Sequence, residues 1–144
     1  MKELQILIIV LGLLFSYRSQ AQEGNNNNSI LKATTMDTSK LTNKTVKDAI
    51  DALQANDKAT FLSHFTPEAK FSDDGNDRDL KAFFDNAFKH EERFLSIDKV
   101  ENDGKNLQGD FNAGQWGTFK VYFNFTLNSE GKITRLDIGQ VSKL

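Results

Sequence analysis

Between Phe119 and Leu127, apolar and polar residues alternate without a break. Phe119, Val121, Phe123, Phe125 and Leu127 fall on one face of an extended chain, with Lys120, Tyr122, Asn124 and Thr126 on the other. A period of two predicts a strand with one buried face. Asn128-Ser129-Glu130-Gly131 supplies a turn, and the chain returns as a second strand to Gln140. The aromatic rings on the Phe119–Leu127 row demand a large apolar cover. Leu80, Phe83, Phe84, Ala87 and Phe88 offer one, because their spacing makes a complete apolar stripe on a helix predicted from Arg78 to about His90, capped by Asp77.

Two shorter helices are predicted before that one. Val46, Ala49, Ile50 and Leu53 lie at helical spacing behind a capping-box-like pair, Thr45 and Asp48. Phe61, Leu62 and Phe65 mark a second helix, stopped by Thr66-Pro67. Lys70-Phe71-Ser72 forms a brief extended piece before the Asp73-Asp74-Gly75 turn. From Arg93 the signals are for strands: Arg93 to Glu101, a tight turn at Asn102-Asp103-Gly104, Lys105 to Asn112, a bend at Ala113-Gly114-Gln115, then the hairpin. Sequential strands with short links pair antiparallel. Helices first and strands after define an α+β domain: N-terminal helices against a curved antiparallel sheet, built as a four-stranded meander plus a short strand. On the last strand, three arrangements are open. Arg135 and Asp137 face the core as a pair, or lie on the surface, or a bulge near Thr134 lets both Ile133 and Leu136 face inward.

The N-terminal segment has a different pattern. Ile6 to Phe15 is a short apolar run followed by Ser19-Gln20-Ala21, the pattern of a secretory signal peptide cleaved near Ala21, so residues 1–21 are expected to be removed and the protein exported to a periplasm or the exterior. Residues 22–42 are polar and Asn-rich without periodicity and are expected to form a flexible leader, leaving 43–144 as the domain. With 18 basic and 20 acidic side chains and no basic stripe, nucleic acid is excluded as a partner. The cleaved protein has no electrostatic reason to sit on a membrane. The absence of cysteine rules out disulfide scaffolds and Cys-based zinc sites. No cofactor or metal is expected, because His64 and His90 stand far apart without a third ligand.

The order of elements, and the segments ALQANDKATFLSHFTPEAKFSDDG and FNFTLNSEGKITRLDIG, resemble the nuclear transport factor 2-like superfamily over about Thr45 to Gln140. The resemblance implies a cone-shaped domain with a pocket between sheet and helices. The superfamily contains ketosteroid isomerase-like enzymes, polyketide cyclases, dehydratases and epoxide hydrolases beside many non-catalytic domains. In its isomerase-like members a carboxylate at the acidic turn moves a proton, and Asp73 matches that position. The oxyanion donors those enzymes also need match Ala49 and Phe123, neither of which can donate a side-chain hydrogen bond. Such donors are usually the largest catalytic contribution, so the resemblance argues against steroid-isomerase chemistry.

Asp73 and Asp74 are also ordinary turn residues, and His64 an ordinary helix residue. A ligand pocket, if the Phe-rich interior leaves one, is expected among His64, Phe65, Phe71, Phe84, Phe88, Trp116, Phe119 and Phe123. The reading favoured at this stage is an exported, non-catalytic domain binding a small apolar ligand or another partner. The alternatives are a small isomerase, cyclase or dehydratase with Asp73 as general base, and a structural homodimer with a filled core. A homodimer is expected to use the sheet face bearing Tyr122, Asn124 and Thr126.

Overall fold

The computed structural model describes residues 36–141. The expected signal peptide, its cleavage point and the leader up to residue 35 lie outside these. Helices α1 (Lys44–Gln54), α2 (Lys58–Ser63) and α3 (Leu80–Lys89) accompany strands β1 (Phe65–Asp73), β2 (Asn76–Asp77), β3 (Arg93–Phe94), β4 (Lys99–Glu101), β5 (Asn106–Asn112), β6 (Thr118–Leu127) and β7 (Ile133–Gln140). The strands form one mostly antiparallel sheet in the order β2-β1-β7-β6-β5-β3, with β4 also paired to β5. The α+β arrangement is as the hydrophobic pattern requires.

Local differences from the sequence expectations have physical causes. Asn43, not Thr45, caps α1, accepting a hydrogen bond from the Val46 N–H at 3.1 Å. Thr45 instead donates its hydroxyl to the Gly131 carbonyl at 2.8 Å, joining α1 to the β6–β7 turn. Asp79, not Asp77, caps α3 through the Ala82 N–H at 2.7 Å, because Asp77 pairs with Ser72 in the sheet. Phe65 is not helical: α2 ends at Ser63 and Phe65 opens β1 opposite Ile133. Pro67 sits in the irregular stretch between Phe65 and Lys70, where its missing N–H removes no ladder bond. β1 is thus longer than the brief extended piece expected, and it runs parallel to β7, an exception to an otherwise antiparallel sheet. The expected Arg93–Glu101 strand is split into β3 and β4, both on β5. Packing also starts before residue 43. Leu41 is 3% exposed in the core, Met36 packs against it, and Thr38 donates to Asp51 at 2.7 Å.

The register settles the last strand. Thr126 pairs with Arg135 but Leu127 with Ile133, so Thr134 is the extra residue of a bulge. Ile133, Leu136 and Ile138 are all buried as a result. Arg135 and Asp137 share the other face, where the Arg135 guanidinium bonds Asp137 at 2.8 Å and the Ser72 hydroxyl donates to the same carboxylate at 2.5 Å. That network, led by Arg135, holds the Asp137 carboxyl below its usual range.

Two aromatic clusters fill the core. Phe61 meets Phe65, Phe84 and Phe88 at ring distances of 5.1, 4.6 and 5.5 Å, and Phe71 meets Phe83 and Phe84 at 4.8 and 5.5 Å. On the sheet, Phe94, Phe111 and Phe123 pack mutually at 4.8 to 5.5 Å. Gln54 ties α1 to this second cluster by exchanging two hydrogen bonds of 2.9 Å with the Phe94 backbone.

Candidate functional site

Between α3 and the β5–β6–β7 face lies an open cavity of about 360 Å³. Phe83, Phe84 and Ala87 of α3 form one wall, and Phe111, Phe119, Phe123 and Ile138 the other. The α3 stripe therefore covers the β6 row as the pattern demands, but across a gap.

Strand alternation decides which acid of the turn faces this space. Phe71 pairs with Leu136 and Asp73 with Ile138, so Asp73 lies on the inward face of β1 and lines the cavity. Asp74, also on the lining, adopts a left-handed φ of 48° and its carboxylate accepts the Gln140 N–H at 2.9 Å. Burial, reinforced by the Asp74 charge and opposed by Arg78, pushes the Asp73 carboxyl above its usual range.

A second carboxylate, Glu92, was not singled out from the sequence. It follows α3, is 8% exposed and lines the cavity. Burial, opposed by the His90 charge, raises its pKa as well. Among the described residues it has no side-chain hydrogen bond. The usable signal was its place two residues before the buried Phe94, which puts it on the inward side of an extended chain.

Of the residues expected to line a pocket, Phe84, Trp116, Phe119 and Phe123 do border the cavity, with Asp73. Trp116 sits at its rim in a short 3-10 turn, Gly114–Trp116, and is 69% exposed. Phe65, Phe71 and Phe88 lie outside the lining because their rings pack against Phe61, Phe83 and Phe84. His64 lies outside it too, at the other end of β1, where its carbonyl accepts the Ile133 N–H at 2.9 Å. Its Nε2 is buried without a partner among the described residues. Ala49 is buried in α1 and is not part of the wall, whereas Phe123 is. Tyr122 and Asn124 border a shallow depression on the outer sheet face, with Lys99, Glu101, Asn106 and Gln108 around it. Thr126 is exposed on the same strand. That face is polar: Lys120 bridges Asp98 and Asp110 across it. Among the described residues no group of three or more His, Cys, Asp or Glu is placed to hold a metal ion, and no helix is long and apolar enough to cross a membrane.

The raised Glu92 pKa has a measurable sign. A carboxyl whose folded pKa exceeds its unfolded value contributes stability that is complete below the unfolded pKa and lost as pH rises through the folded one. Relative to the parent, Glu92→Gln should therefore gain stability as pH climbs above 4.5, the ordinary glutamate value. Urea unfolding of both proteins between about pH 4 and 8 checks this, and parallel profiles would contradict it.

A curved, mostly antiparallel sheet wrapped over helices around an inner cavity is the nuclear transport factor 2-like fold, and this chain has it. No family model and no curated protein matches the sequence. Among solved structures, it is similar to a nuclear transport factor 2-like protein of unknown function from Cytophaga hutchinsonii, with 20% identity, 67% of this chain and 87% of that one covered, and a TM-score of 0.56. A SnoaL-like protein of unknown function from Burkholderia thailandensis superposes with a TM-score of 0.56 at 13% identity, over 73% of this chain and 98% of that one. The Orange Carotenoid Protein of Anabaena, solved binding canthaxanthin, matches with a TM-score of 0.54 at 19% identity, over 70% of this chain and 36% of its own.

Proposed function

We propose that the cavity is a binding site for a small, mainly apolar molecule, and that the domain holds this molecule without transforming it. The observation that carries the reading is the gap itself. About 360 Å³ stays open to solvent between two rows of phenylalanine, a concave apolar surface that the fold itself does not cover. That volume falls within the roughly 300–1,000 Å³ of small-molecule sites. The Orange Carotenoid Protein, which binds canthaxanthin and matches over 36% of its own chain, supports the reading by analogy only.

The enzymatic alternative has one point in its favour, the inward Asp73 with its raised pKa. A base needs a partner that stabilises the charge left on the substrate. The two positions matched to such donors carry Ala49 and Phe123. A base without donors at those two matched positions favours binding over turnover.

The reading is tested on the native chain with a panel of apolar alcohols, ketones, amines and acids. At least one should raise the melting temperature in proportion to the logarithm of its concentration and alter the emission of Trp116, the single tryptophan. An unresponsive melting temperature and emission across the panel, with nothing released on denaturing extraction, would overturn it.

A further inference from the structure

The lining of the cavity is mainly apolar, with Asn86 and Gln140 as its neutral polar side chains and charged groups of one sign only. Asp73, Asp74 and Glu92 belong to it, and no lysine, arginine or histidine does. These acids are not equivalent. Asp74 already accepts the Gln140 N–H. Glu92 is 8% exposed and its carboxylate meets no hydrogen-bond donor among the described residues. It stands beside the Gly114–Trp116 turn, where a β-carbon on Gly114 would come 3.7 Å from its Oε1. Phe111 and Trp116 also border the cavity, on β5 and on the turn after it. A carboxylate largely withdrawn from water but open to a cavity gains from a cation that enters and pairs with it, and aromatic faces attract cations.

Resting on the binding reading above, we propose that the cavity selects an apolar molecule bearing an ammonium group, with Glu92 as the anion that pairs with it and the faces of Phe111 and Trp116 beside it. The phenyl rings of α3 and β6 take the apolar body. An anionic ligand is disfavoured by all three carboxylates. A neutral molecule of the same shape gains the apolar contacts but leaves Glu92 unpaired. Burial alone holds the Glu92 carboxyl above its usual range, and an ammonium beside it favours the ionised form.

The test uses three probes of one shape on the native full chain at neutral pH and low salt: 4-phenylbutylamine, 4-phenylbutanol and 4-phenylbutanoate. Trp116 emission and melting temperature report binding. The amine is expected to bind about tenfold more tightly than the alcohol, the worth of one charge-assisted hydrogen bond, with the carboxylate weakest. Glu92→Gln should bring the amine down to the alcohol and leave the alcohol unchanged. Added salt should weaken the amine alone, a measurement that needs no variant. Equal or tighter binding of the alcohol or the carboxylate, or an amine preference that survives Glu92→Gln, overturns the selectivity while leaving a small-molecule site in place. No response to any of the three removes the selectivity, whereas the binding reading falls only if the wider panel is silent as well.

Discussion

Gly109→Ala is expected to destabilise the domain by about 3 kcal/mol or more, beyond the ordinary range for overpacking. Gly109 is buried in β5 between Leu107 and Phe111, and it pairs with Val121 of β6. The linker between β3 and β4 crosses it closely. Leu95 donates its N–H to the Asp110 carbonyl at 2.7 Å and Asp98 to the Gln108 carbonyl at 2.8 Å, so Gly109 itself is skipped. A β-carbon there would stand 1.9 Å from the Ser96 carbonyl oxygen and 2.8 Å from its carbon. Both are backbone atoms, and they are held by the flanking hydrogen bonds rather than free to rotate away. The mutant must break that linker from β5 or open the sheet. Urea unfolding measures the loss, with Gln108→Ala on the outer face as the reference. A Gly109→Ala variant within about 1 kcal/mol of that reference would show that the linker yields easily.

Phe61→Ala should cost about 4 kcal/mol, in the range of buried Phe truncations. The side chain is 0% exposed and its ring joins α2 to Phe65 on β1 and to Phe84 and Phe88 on α3. Helix α2 has 6 residues, too few to persist without tertiary packing, so losing the ring loosens the helix as well as leaving a hole. Phe119→Ala, on the cavity wall, removes the same atoms from a half-buried site already facing open space. Its cost should be near 1 kcal/mol, since little new void is made. Denaturant midpoints at unchanged m separate the two. Equal losses would mean that the cavity behaves as packed core.

These two residues also show what the chain discloses in advance. Elements whose partners lie one turn or one hairpin away are legible. The Phe119–Leu127 row and the Leu80–Phe88 stripe each follow from a local period, whereas the facing of the last strand is open in the sequence until the register places the extra residue at Thr134. Phe65 was misplaced because Thr66-Pro67 is a sound stop signal for a helix, while the parallel partner that makes Phe65 a strand residue lies at Ile133, far along the chain. The α3 cap was ambiguous for a similar reason: Asp77 and Asp79 are equal candidates until Ser72 claims Asp77. At the site, Asp73 stands out from Asp74 only through the family resemblance, and the alternation along β1 then turns it inward. The cavity was not legible, because which rings fill space depends on how Phe61 gathers Phe65 and Phe88, and no periodicity encodes that. Glu92 escaped notice because it borders a helix end, where an acid usually meets water.

The bulge at Thr134 gives the hairpin a combinatorial property. Side chains beyond it alternate in fixed order, so how the extra residue is accommodated decides which set lines the interior. Deleting Thr134 would leave Ile133 opposite Leu127 and Arg135 opposite Thr126, so Leu136 and Ile138 would still face inward, whereas flattening the bulge with Thr134 kept in the ladder would exchange them with Arg135 and Asp137. The bulge thus makes the strand tolerant of losing one residue at Thr134, because both lengths present the same apolar set to the interior.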